Sequence, residues 1–178
     1  MKLVKTMALA GIVLAGLATA AAAADDRDIC QKESGDVAIA ACNRAIKSGK
    51  YTGKSLAIVY INRGAEWKAK KDNEKALADY TIAINLDSSI PAIYNNRANI
   101  YRERGELDRA IADYSTAIRL DPLYTAAFTN RGLAYEDKEM FAKAREDFQA
   151  SLSVPAKHND GEWAHKTARR HLEDLKGK

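Results

Sequence analysis

Rings and small residues recur along this chain at a fixed interval, with charged and polar positions between them. Tyr60, Gly64, Trp67, Ala76, Tyr80 and Ala83 form one set. Tyr94, Ala98, Tyr101, Ala110, Tyr114 and Ala117 repeat it 34 residues later, and Phe128, Gly132, Tyr135, Ala144, Phe148 and Ser151 after another 34. The pattern predicts three pairs of helices: Lys54–Lys70 with Asn73–Leu86, Pro91–Arg104 with Leu107–Leu120, and Thr125–Lys138 with Phe141–Ser153. The three prolines, Pro91, Pro122 and Pro155, fall at the junctions between pairs, where a helix must stop or start. Glycine or alanine at Gly64, Ala98 and Gly132 lets each partner helix come close, and Ala76, Ala110 and Ala144 supply the matching small surface. Nine of the thirteen aromatic residues lie on these columns, so the rings are read as packed core and not as a cofactor box.

The flanks depart from the period. Asp160-Gly161 opens a further amphipathic helix, Glu162–Leu175, whose apolar set is Trp163, Ala164, Ala168, Leu172 and Leu175. A stack of hairpins leaves its last member with one bare apolar side, and this helix is expected to cover it, with Lys166, Arg169, Arg170, Glu173 and Asp174 in water. Upstream, residues 36–48 align with Asn73–Leu86, as the second helix of a degenerate pair whose first helix is cut to a few residues around Ile29. Cys42 stands where Tyr80, Tyr114 and Phe148 stand in the full pairs.

The first 24 residues read as an address. Lys2 and Lys5 precede an uncharged run from Thr6 to Ala24, Ala22 and Ala24 form an A-x-A cleavage site, and Asp25, Asp26 and Asp28 follow. A cleaved export signal is expected over residues 1–24. An uncleaved anchor is the alternative, but the alanine-rich second half gives it little reason to stay in lipid. No cysteine follows the run, so the resemblance to bacterial lipoprotein signals fails. The short basic, alanine-rich form points to a bacterial periplasm, a soluble product and no membrane span once the signal is gone. In such a compartment Cys30 and Cys42 read as a disulfide stapling the short segment to its helix, with a reactive thiol pair as the alternative.

Charge narrows the function by exclusion. The chain has 28 Lys and Arg against 24 Asp and Glu, and loss of the leader halves the surplus. The signs alternate along the helices with no basic block, so no nucleic-acid partner is expected. No phosphate loop, H-E-x-x-H or nucleophile-base set occurs, so neither an enzyme nor a cofactor is expected. His158, His165 and His171 are spaced off any one helical face, and no metal site is expected.

The sequence of aromatic, small residue, aromatic, alanine, aromatic and proline over Pro91–Pro122, with its two 34-residue echoes, resembles the tetratricopeptide repeat family over about residues 57–156. The resemblance implies an all-α, right-handed superhelical α-solenoid. Its parts would be a degenerate half-repeat (25–56), repeats over 57–90, 91–124 and 125–158, and a capping helix over 159–178. Two more columns recur at 34: Arg63, Arg97 and Arg131, and Asp79, Asp113 and Asp147. They suggest an ion pair inside each unit, one that suffers more from loss of one partner than of both.

Function, on this resemblance, is capture of a protein or extended peptide segment in the concave groove lined by the first helices. Asn62, Asn96 and Asn130 match the family's groove-facing asparagine, whose amide can donate to and accept from a peptide backbone. The alternative use of this column is bonding between neighbouring helices. The family's two-carboxylate clamp fails here: Ile61 and Ala65 replace its first-unit lysine and asparagine, and Ala126 and Asn130 replace its third-unit lysine and arginine. The middle of the groove is expected to present Asn95, Asn96, Asn99 and Arg102. Ile58 and Ile61 would make one end apolar, and Glu136 and Asp137 the other acidic, a surface for a basic or polar segment. A structural subunit or assembly factor of a cell-envelope complex, using the convex face or an edge, is the second reading.

Overall fold

A computed structural model describes residues 25–156 and 160–177; the expected export signal (1–24) and His158 lie outside the described residues. The described residues form nine helices and no strand: α1 (Asp26–Lys32), α2 (Gly35–Lys47), α3 (Gly53–Ala69), α4 (Asn73–Leu86), α5 (Pro91–Glu103), α6 (Leu107–Leu120), α7 (Thr125–Asp137), α8 (Phe141–Ser153) and α9 (Gly161–Asp174). Each of the six repeat helices lies within a residue of its sequence expectation. Pairs α1/α2, α3/α4, α5/α6 and α7/α8 are hairpins, stacked in chain order with α9 against the last.

The turn inside each full hairpin is built one way three times. The amide of Asp72 donates to the Trp67 carbonyl, that of Glu106 to Tyr101 and that of Met140 to Tyr135, at 2.9, 2.9 and 2.8 Å. This closure needs a left-handed residue just before it. Gly105 supplies it without strain at φ 75°, whereas Lys71 (63°) and Glu139 (59°) occupy the same place with a Cβ.

Ring against glycine fixes how close the two helices lie. A Cβ on Gly64 would come within 2.7 Å of Tyr80 Cε1, and one on Gly132 within 2.7 Å of Phe148 Cε1. Tyr80, Tyr114 and Phe148 are fully buried. Beside each ring the expected ion pair is present as a two-pronged fork. Arg63 donates to Asp79 at 2.8 and 2.7 Å, Arg97 to Asp113 at 2.7 and 2.9 Å, and Arg131 to Asp147 at 2.8 and 2.7 Å. These hydrogen bonds raise all three guanidinium pKa values. Burial pushes the Asp147 carboxyl up by more than the Arg131 fork holds it down.

Neighbouring hairpins are joined by a further charge column. Lys70 pairs with Asp36 (2.9 Å), Arg104 with Glu74 (2.8 Å) and Lys138 with Asp108, each from the end of a first helix to the preceding second helix. Core clusters are shared the same way: Ile93 and Ile100 of α5 pack with Ala57, Ala76 and Tyr80 of the preceding hairpin.

Candidate functional site: the inner face of the array

Successive first helices touch: α1 meets α3, α3 meets α5, α5 meets α7, and α7 meets α9. No such contact joins α4 to α6 or α6 to α8. The stack therefore bends with the first helices inside, and α3, α5, α7 and α9 line a continuous trough.

Adjacent inner helices meet at a stagger of 35 residues, one more than the repeat. Lys68 pairs with Glu103 (3.0 Å), Arg102 with Asp137 (2.6 Å) and Glu136 with His171 (2.7 Å). Asn130 Nδ2 donates to Asn95 Oδ1 at 3.0 Å across the same stagger. These pairs were missed because the sequence was read in columns of 34. Opposite charges 35 apart were the available signal.

The stagger separates the predicted asparagines into two groups. Asn95 and Asn130 are 3% and 6% exposed and bond each other, and Asn95 also hydrogen-bonds Tyr124. Contrary to the expectation of open groove residues, both are enclosed in the seam between α5 and α7. Asn96 lies one residue on, where the stagger sets it opposite Ile61 of α3, which has no group to pair with, and Arg131 of α7, whose guanidinium is taken up by Asp147 and Ser115. It is half-buried, and its amide pairs with no side chain among the described residues. Asn62 is also half-buried, with Nδ2 enclosed and unpartnered among the described residues. Asn99 is half-buried too, and its Oδ1 accepts from the Tyr114 hydroxyl at 2.6 Å. Arg102 reaches the trough but is held by Asp137.

At its C-terminal end the trough has the opposite character from the one expected. Glu136 and Asp137 are both paired, with His171 and Arg102, so neither stands as a free acid. In their place α9 contributes Trp163, Lys166 and Arg170, which with Arg102, Leu133, Thr167 and His171 line a cavity of about 590 Å³. Sequence reasoning put Lys166 and Arg170 in bulk water because it gave α9 only a covering role. Its close packing on α7 makes it a fourth inner helix.

At the other end, Cys30 and Cys42 are joined by a disulfide that holds α1 against α2. Among the described residues no cluster of His, Cys, Asp or Glu could hold a metal ion, and no helix is long and apolar enough to cross a membrane.

Family models described as TPR repeat and as tetratricopeptide repeat match residues 98–138 and 125–158. No curated protein matches the sequence. Among solved structures, the chain is similar to the second TPR of Spaghetti (RPAP3) bound to the HSP90 peptide SRMEEVD, at 30% identity and a TM-score of 0.55, over 57% of this chain and 94% of that one. It is similar to the second TPR domain of human RPAP3 in complex with the HSP70 peptide SGPTIEEVD, at 28% identity and a TM-score of 0.59, over 68% and 96%. A tetratricopeptide repeat protein from Parabacteroides merdae matches over 84% of this chain and 59% of its own length, at 25% identity and a TM-score of 0.64.

Proposed function

The chain belongs to the tetratricopeptide repeat family, and from that membership we propose that it is an adaptor, holding an extended polypeptide segment along the trough of α3, α5 and α7. The reading places it in the bacterial periplasm, delivered by the signal expected over residues 1–24, as the Cys30–Cys42 bridge favours an oxidising compartment. One observation carries the trough: Asn62 and Asn96 keep amide groups unpaired on its wall while Asn95 and Asn130 are used inside the seam. At Asn96 such an amide can donate to a main-chain carbonyl and accept from a main-chain N–H whatever the side chains of the segment, whereas the enclosed Nδ2 of Asn62 must turn outward to do the same. Two such residues are worth only ~0.5–1.5 kcal/mol per hydrogen bond, so side-chain pockets must supply the rest of the affinity. The repeat domains of RPAP3 with HSP90 and HSP70 peptides bound support a peptide as the ligand.

A photocrosslinking capture from periplasmic extract tests it. Asn62→Ala with Asn96→Ala should lower partner capture about tenfold, the loss of about 1.4 kcal/mol, with an unchanged melting temperature. Undiminished capture would favour the second reading, a cell-envelope assembly part using its outer face. That reading draws on Ile82, 38% exposed on α4 in a shallow depression shared with Trp67 and Lys75.

A further inference from the structure

We infer that the C-terminal end of the trough receives an acidic stretch of polypeptide, its carboxylates on Lys166 and Arg170 and an apolar side chain on Trp163 and Leu133. The inference rests on the polypeptide-binding reading above and adds the chemistry of the partner.

Charge on the cavity wall points to the class. No carboxylate lines it. Of its four basic residues, Arg102 is answered by Asp137 and His171 by Glu136. Lys166 and Arg170 are exposed and neither pairs with an acid among the described residues; the one side-chain contact of the two is that of Arg170 Nη2, 3.0 Å from His171 Nε2. Glu162 and Asp174 stand one helical turn from them on α9, yet pair with neither. Positions 166 and 170 lie four apart on one face of α9, so both cations point the same way. A groove walled by low-dielectric protein concentrates such a field toward an anion.

Apolar surface beside the charge excludes a bare anion as the intended ligand. Trp163 is 49% exposed, one of four large hydrophobic residues left open among the described residues. An indole at a cavity rim, flat and able to bury a large area, is the kind of anchor that dominates interfaces. Leu133, 8% exposed, forms the floor beneath. A cavity of about 590 Å³ takes a few side chains, not a folded domain. Arg102 on its wall belongs to α5, the helix that also carries Asn96 and Asn99. A nucleic-acid strand would need a longer track of cations than two that lack an acid partner.

The test is fluorescence anisotropy on the full chain with a labelled, end-blocked octapeptide of alternating glutamate and leucine, against the same octapeptide with lysine for glutamate. The glutamate peptide should bind at least about tenfold tighter, and added salt should weaken it. Lys166→Glu with Arg170→Glu should abolish that preference, and Trp163→Ala should weaken the glutamate peptide about tenfold. Both sites are at the surface, and a thermal melt confirms that each variant folds. Equal binding of the two peptides, or a glutamate peptide indifferent to the charge reversal, overturns the inference. So does a twelve-residue oligothymidylate that binds tighter than the peptide through the same two residues. The two readings fail separately. Capture sensitive to Asn62 and Asn96 but not to Lys166 and Arg170 leaves the trough and removes the acidic partner. The reverse keeps the cavity and removes the trough.

Discussion

The two ends of the array are closed by different means. At the N-terminal end α1 has 7 residues and buries one of them, Cys30. Two turns of helix cannot hide enough apolar surface to hold their place, and α1 is fixed instead by the bond to Cys42 and by polar ties. Those ties run from Arg44 to Asp26 and from Tyr51 to Asp25. At the C-terminal end α9 has 14 residues and buries Ala164, Thr167 and Ala168, with Leu175 just beyond. Thr129 reaches its backbone, and His165 Nε2 lies 3.0 and 2.9 Å from the carbonyls of Ser151 and Val154. A helix held along its whole length by packing can carry other side chains on its remaining face. The short covalent cap has no such face to offer, whereas α9 supplies Trp163, Lys166 and Arg170 to the wall of the open cavity.

The largest effect that can break this comparison is loss of the bridge. Cys30→Ala with Cys42→Ala should lower stability by roughly 3 kcal/mol, the chain-entropy value for a loop of this length. Amide exchange at Val59, which α1 covers, should rise first. A chemical denaturation series measures the loss. Dithiothreitol should mimic it in the wild-type chain, which has 2 cysteines, both in the bridge. A smaller effect belongs to the other end. His165→Ala removes one tie among many and should cost about 1 kcal/mol, with α9 still protected from exchange. Equal losses at the two ends, or release of α9 by His165→Ala, would remove the contrast between covalent and packed closure.

How much of this was legible beforehand follows from which distance was being read. The helices, the Arg–Asp forks and the place of Cys42 all lie inside one hairpin or one column, and a period of 34 exposes them directly. The seams between inner helices are set by how hairpins lean on one another, and there the stagger is 35. Asn95 and Asn130 show the consequence: a column read at 34 groups Asn130 with Asn96, while the packing pairs it with Asn95. The acidic end of the trough was misjudged for the same reason. Glu136 and Asp137 looked free because their partners, His171 and Arg102, lie one seam away.

The smallest effect separates hairpins that otherwise look alike. In the middle one the Tyr114 hydroxyl donates to Asn99 Oδ1 at 2.6 Å. In the last one Phe148 and Leu133 occupy the corresponding columns, with no polar atom to satisfy. In the first, Ala65 replaces the asparagine, and the Tyr80 hydroxyl is buried with no partner among the described residues. Burial raises the pKa of both tyrosines, so each stays a neutral donor at any working pH. A buried hydroxyl without a partner loses its hydration and gains nothing in return. Tyr80→Phe should therefore stabilise the chain by about 1 kcal/mol, and Tyr114→Phe should destabilise it by about the same amount. Paired urea melts give the two signs. A loss at Tyr80 would mean that its hydroxyl is satisfied in solution, and the first hairpin would then be as well closed at this position as the one that follows it.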